Sequence, residues 1–155
     1  MKKGSLFVRM QMSAFLMLAT LGTASCGMVI HHLQHGFVKA PAKSEFGLGS
    51  RTSASGAFTA ALEPSSALRV GPLQSAELTL TDATGNPVCD AMVTIDGGMP
   101  QHGHGLPTKP RVTSTSVPGV YLVEGLRFNM GGWWEVRFAV SGASMRDSVT
   151  FNIRL

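Results

Sequence analysis

The sequence predicts an all-β domain over residues 58–155, a seven-stranded immunoglobulin-like β-sandwich. Three observations predict it. Apolar residues alternate with polar ones in short runs from Phe58 onward, the period expected of strands with one buried face. Turn dipeptides such as Gly85-Asn86 and Pro118-Gly119 separate the runs. Strands and turns together leave no room for a substantial helix, and seven strands in about 100 residues is the strand number of that fold.

The elements follow in order. Phe58–Leu62 (FTAAL) is a first strand. Leu78 and Leu80 alternate with Glu77, Thr79 and Thr81 in a second, which stops at the Thr84-Gly85-Asn86-Pro87 turn. A third runs from Cys89 to Asp96, with Cys89, Ala91, Val93 and Ile95 on its apolar side, so Cys89 reads as a small, inert buried hydrophobe. Arg111–Ser116 is weakly apolar and suits a sheet edge. Val120–Leu126 follows the Pro118-Gly119 turn, and Tyr121 is placed to lock a corner by bonding its hydroxyl to the backbone. In the sixth strand Trp134, Val136, Phe138 and Val140 point inward, opposite Trp133, Glu135 and Arg137. Val149, Phe151, Ile153 and Leu155 alternate through the seventh.

Residues 1–25 have the order of a secretory signal: a basic start at Lys2, Lys3 and Arg9, the apolar run Met10–Leu21, then small residues. The sequence Thr23-Ala24-Ser25-Cys26 resembles a lipoprotein signal, with Cys26 as the lipid-bearing residue. Ordinary cleavage nearby and retention as an uncleaved anchor are the alternatives, since Met10–Ile30 is barely long enough to span a bilayer, which takes about 20 residues. All three routes put residues 31–155 outside the cytoplasm, and the lipoprotein and anchor routes hold them at the membrane in the envelope. Residues 26–57, rich in Gly, Ala, Ser, Lys and Pro, read as a flexible tether carrying His31, His32 and His35, which read as solvated tether rather than ligands.

The charge narrows the partners. Of 13 Lys and Arg, three lie in the signal, so from Cys26 onward ten cations face nine Asp and Glu, a net +1 rather than the +4 of the whole chain. No basic stripe with interleaved aromatics is present, and nucleic acid is set aside as a partner. Lipidation of Cys26 would exclude a disulfide to Cys89, the second of the two cysteines.

Chemistry concentrates in one stretch, Gly97–Pro110 (GGMPQHGHGLPTKP). Met99, His102 and His104 fall within a few residues, separated by glycines and stiffened by prolines, and Met130 lies in the Gly-rich turn Phe128–Trp134. At spacing i, i+2 in an extended segment the two imidazoles point to one side. Thioether plus imidazole suits copper, with Cu(I) accepting methionine, better than zinc, which favours Cys, His and carboxylate. If the loops before the fourth strand and before the sixth share one end of the sandwich, Met130 approaches His102. The competing reading is plain: two histidines bonding backbone carbonyls in an irregular loop, and Met130 filling a gap in the core.

The segments Asn86–Thr113 and Gly119–Val140 together resemble the YtkA-like domain family, related to FixH-like proteins of bacterial envelopes, over roughly residues 70–155. The resemblance rests on the MPxHGHG loop and the FxMxGWW turn occurring in order. It implies an extracytoplasmic, often membrane-tethered Ig-like sandwich, and copper handling around respiratory oxidase assembly. Met99, His102, His104 and Met130 match the family's candidate ligand motif. The cysteine pair of thiol-type copper carriers is absent.

Enzymatic chemistry is not expected. Acidic residues are scattered, no nucleophile motif accompanies the histidines, and phosphate-loop and dinucleotide fingerprints are missing. Two functions stand: a membrane-tethered copper carrier or buffer, serving an oxidase or another copper-handling protein, and a metal-free Ig-like module docking on an envelope membrane protein.

Overall fold

A computed structural model describes residues 38–143 and 145–155. The signal segment, Cys26 and the three tether histidines lie outside the described residues. Among the described residues no helix is long and apolar enough to cross a membrane.

Two antiparallel sheets pack face to face. Strands β1 (Arg51–Thr52), β2 (Phe58–Pro64), β3 (Gln74–Asp82), β7 (Val120–Leu126) and β6 (Arg111–Ser114) form one sheet in that spatial order. The other runs β5 (His104–Gly105), β4 (Met92–Met99), β8 (Trp133–Ser141) and β9 (Arg146–Arg154). All seven segments expected from the alternation are strands, and two short ones, β1 and β5, join them. The two-residue period makes the core. Phe58, Ala60, Leu62, Ala76, Leu78 and Leu80 of one sheet meet Val136, Phe138, Val140, Val149 and Phe151 of the other, every one buried. Arg111–Ser114 is the sheet edge its composition suggested.

One element departs from expectation. The strand expected at Cys89 begins at Met92, and Cys89 is exposed. The alternation breaks because Asp90 adopts a left-handed backbone (φ 55°), a conformation Asp tolerates better than most residues. The preceding residues are already engaged in a corner: the Val88 amide donates to the Leu80 carbonyl, and Pro87 bridges Thr81. Tyr121 locks this corner as its position suggested. Its hydroxyl donates to the Val88 carbonyl (2.9 Å) and accepts from the Ala91 amide (3.2 Å).

The domain also extends upstream of Phe58. A 3-10 turn at Lys43–Glu45 leads Phe46 beside Asn152, and the Gly47 amide donates to the Asn152 carbonyl, before β1 crosses to pair with β2. This strap covers part of the open edge of β9, where unpaired backbone groups would otherwise invite another strand. It also explains why Trp133, on the outer side of β8, is buried. The indole lies edge-on to Phe46 at 6.5 Å and donates to Asn152 Oδ1 at 2.9 Å. Farther along β9, the Asp147 carboxylate accepts from the Ser55 hydroxyl and amide and from the Ser148 amide.

Removing the Tyr121 hydroxyl leaves a buried carbonyl and a half-buried amide without partners. Tyr121→Phe is therefore expected to cost about 1–3 kcal/mol, read as a lower midpoint in thermal unfolding; an unchanged midpoint would show that the corner holds without it. The hydroxyls of Ser53 and Ser55 hold the Asp147 carboxyl well below its usual range. A lowered folded-state value means this contribution is complete above the unfolded value of about 3.9 and is lost as pH falls below it. Asp147→Asn is expected to flatten that acid limb in unfolding midpoints measured across pH.

Candidate functional site

The Met99–Leu106 segment folds as a hairpin at one end of the sandwich. β4 and β5 pair Gly98 with Gly105 and Met99 with His104. The Met99 carbonyl accepts from both the His102 (3.0 Å) and Gly103 (2.9 Å) amides, and Gly103 takes the left-handed conformation (φ 68°) that closes the turn. Gly98 is required by close approach, because a Cβ there would stand 2.0 Å from the His104 carbonyl oxygen. Beyond the pair, the Leu106 amide returns to the Gly97 carbonyl. The glycines expected to free space around the histidines thus let three backbones come together beneath them.

His102 and His104 are both exposed, with ring centres 5.9 Å apart in an edge-to-face arrangement. The segment between them is a turn rather than the extended stretch expected, and it is this turn that sets the two rings side by side. Met99 does not join them. It is 1% exposed and belongs to the core, where its thioether methyl lies so close to Gly132 that a Cβ there would meet it at 2.8 Å. Its strand phase accounts for this: Val93, Ile95, Gly97 and Met99 share the inward side of β4, and an unbranched thioether fills the space left by glycines.

The Met99–Gly132 contact sets the hairpin against the Phe128–Gly132 turn, so the two loops share one end of the sandwich, as their positions around the strands suggested. Met130 projects from that turn and is exposed, while its carbonyl accepts from the Trp134 indole at 3.0 Å. Trp134 itself is fully buried and stacks edge-on with Phe128 at 5.2 Å. Core packing thereby fixes the backbone from which Met130 points.

Beside His104 lies a shallow cavity of about 320 Å³ lined in part by Asp96, Pro100, Glu135 and Arg137. Arg137 bonds both carboxylates, Asp96 at 3.2 Å and Glu135 at 3.1 Å. The Gly97 amide, with the Arg137 guanidinium, holds the Asp96 carboxyl below its ordinary range. The acidic neighbours of His104 are thus committed to an arginine. Among the described residues no group of three or more His, Cys, Asp and Glu side chains stands close enough to hold a metal. Two side chains matter here that pattern reasoning missed. Gln101 reaches the Val38 carbonyl at 3.4 Å and ties the hairpin to the point where the chain enters the domain, and Arg137 neutralises the adjacent carboxylates. Neither carries a sequence signal, because both depend on residues distant along the chain.

No curated protein matches the chain. Among solved structures it is similar to the ZirS C-terminal domain, at 19% identity and a TM-score of 0.38, over 77% of this chain and 84% of that one. Residues 52–139, more than half the chain and including β4, the histidine hairpin and most of β8, match the YtkA-like family. The chain belongs to the YtkA-like family.

Proposed function

We propose that this protein is a membrane-tethered, extracytoplasmic copper-binding protein that carries or buffers Cu(I) on its histidine hairpin. The observation that carries this reading is the pair of exposed imidazoles with ring centres 5.9 Å apart. A metal–imidazole bond of about 2.0 Å, extended to the ring centre on each side, separates two rings on one ion by roughly 5.5–6.3 Å as the angle opens toward linear. Exposed rings turn freely to aim their nitrogens. Copper in its reduced state accepts so few and such soft donors, which zinc does not.

The donor set is His102 and His104, with Met130 as a soft third donor from the neighbouring turn. Met99 was expected from the sequence as a fourth; its thioether is occupied in the core, and in this reading it positions the hairpin instead. Holding an ion with few exposed ligands suits passing it on, to an oxidase or another copper-handling protein in the envelope, and it requires no enzymatic chemistry. The membrane attachment follows from the lipoprotein-like signal ending at Cys26. The metal-free alternative, an Ig-like module docking on a membrane protein, accounts for the same hairpin as a rigid contact loop.

A Cu(I) competition titration separates the two. The full chain is held in detergent with His31→Ala, His32→Ala and His35→Ala, which removes the tether histidines from the result. One Cu(I) per chain is expected, weakened more than about tenfold by His102→Ala or His104→Ala and less by Met130→Leu. Met99→Leu conserves volume and is expected to leave affinity nearly unchanged. A folded chain whose copper uptake ignores both histidine substitutions would sink the copper reading and leave the metal-free module.

A further inference from the structure

Exposed large apolar side chains are unevenly placed on this domain. Six are found among the described residues, and four of them, Val38, Val70, Leu73 and Met130, lie at the hairpin end. Three contacts show that they share one surface. The Gly71 amide donates to the Phe128 carbonyl at 2.8 Å, joining the loop between β2 and β3 to the Met130 turn. Met99 packs on Gly132 and joins that turn to the hairpin. Gln101 bonds Val38. Leu73 is the most prominent, 67% exposed on a loop braced by the two bonds between Gln74 and the Arg69 backbone. The remaining two, Met92 and Val117, lie toward the opposite end.

Four cations also lie on this end. The four segments that build the hairpin end, residues 38–42, 65–73, 100–110 and 127–132, contain Lys39, Arg69, Lys109 and Arg127 and no Asp or Glu. All four cations are exposed. Asp82, Asp90 and Asp147 lie toward the far end. The carboxylates nearest this end are Glu124, beside Arg69 and Leu73, and Asp96 and Glu135, which Arg137 holds. Apolar tips set among four exposed cations are the chemistry of a surface that meets anionic headgroups while dipping side chains into the interfacial layer. The described chain also enters the domain at this end, at Val38, twelve residues after Cys26. An extended segment of that length spans at most about 43 Å, so a domain tethered at Cys26 stays within reach of the bilayer.

We propose that this end docks on an anionic lipid surface, with Leu73, Val70 and Met130 as the inserting tips and Arg69, Arg127, Lys39 and Lys109 as the headgroup contacts. The inference rests on the membrane attachment proposed above, and it adds a second, reversible contact that turns the histidine hairpin toward the membrane. A copper-loaded hairpin would then face partners embedded in that membrane.

Hydrogen exchange of the full chain tests it, on vesicles of phosphatidylcholine alone or mixed with phosphatidylglycerol. Flotation reads the attachment, and exchange reads the docking. With phosphatidylglycerol present, amides in 65–73 and 127–132 are expected to exchange about fivefold slower or more, while 115–119 at the far end stays unchanged. High salt, or Arg69→Glu with Arg127→Glu, is expected to abolish the slowing, since each cation near the surface accounts for roughly a fivefold change in the equilibrium. Both arginines are exposed, so these substitutions leave the core intact. A chain that floats but shows equal exchange at both ends, or protection indifferent to charge reversal, overturns the docking and leaves the attachment standing. A chain that floats on neither vesicle overturns both.

Discussion

Burial of Trp134 is the constraint on which the working end of this protein depends. The indole is fully enclosed between the sheets, and a side chain of that size removes roughly 150–250 Å² from water, an upper value of about 4–6 kcal/mol. Its one polar atom needs a partner once buried, and the Met130 carbonyl is that partner. The ring also stacks on Phe128. A single residue thus fixes both ends of the Gly-rich turn, and Gly132 in that turn receives the methyl of Met99. Met99 in turn supplies the carbonyl that closes the histidine turn. The chain of dependence runs from a core tryptophan to two surface imidazoles in four contacts.

The opposite end is held by a different device. Tyr121 satisfies a corner that the left-handed Asp90 interrupts, and Asp147 gathers the turn before β2. Between the two ends the strap from Lys43 to Thr52 crosses from the edge of β9 to the edge of β2. It buries the outer faces of Trp133 and Asn152 and shields an edge that would otherwise be open to association. A domain held at both ends in this way presents its loops on a rigid base. Loops on a rigid scaffold are where binding chemistry is usually carried.

The distribution of surface chemistry separates the two ends further. Exposed apolar tips, the two hairpin histidines and the cations Lys39, Arg69, Lys109 and Arg127 gather where the chain enters. Asp82, Asp90 and Asp147 lie toward the other end, and the carboxylates Asp96 and Glu135 beside the hairpin are held by Arg137.

Alternation of apolar residues determined the fold class and seven strands, since a two-residue period leaves one face to bury whatever the neighbours are. The Tyr121 lock and the edge position of Arg111–Ser114 were legible for the same local reason, whereas the side-by-side histidines come from a turn at Gly103 that the extended reading did not include. Tertiary structure alone decided the rest. Cys89 reads as strand by phase, and only the corner built with Leu80 and Tyr121 turns it outward. Met99 reads as a ligand by company, and only the space above Gly132 draws it into the core. Trp133 lies on the outer side of its strand, and only a strap more than eighty residues upstream buries it. Residues 43–52 read as tether by composition, because pairing with β2 and β9 leaves no periodic trace in so short a segment. Local periodicity specifies which way a side chain points relative to its own strand. What it meets there depends on contacts across the chain that no local pattern encodes.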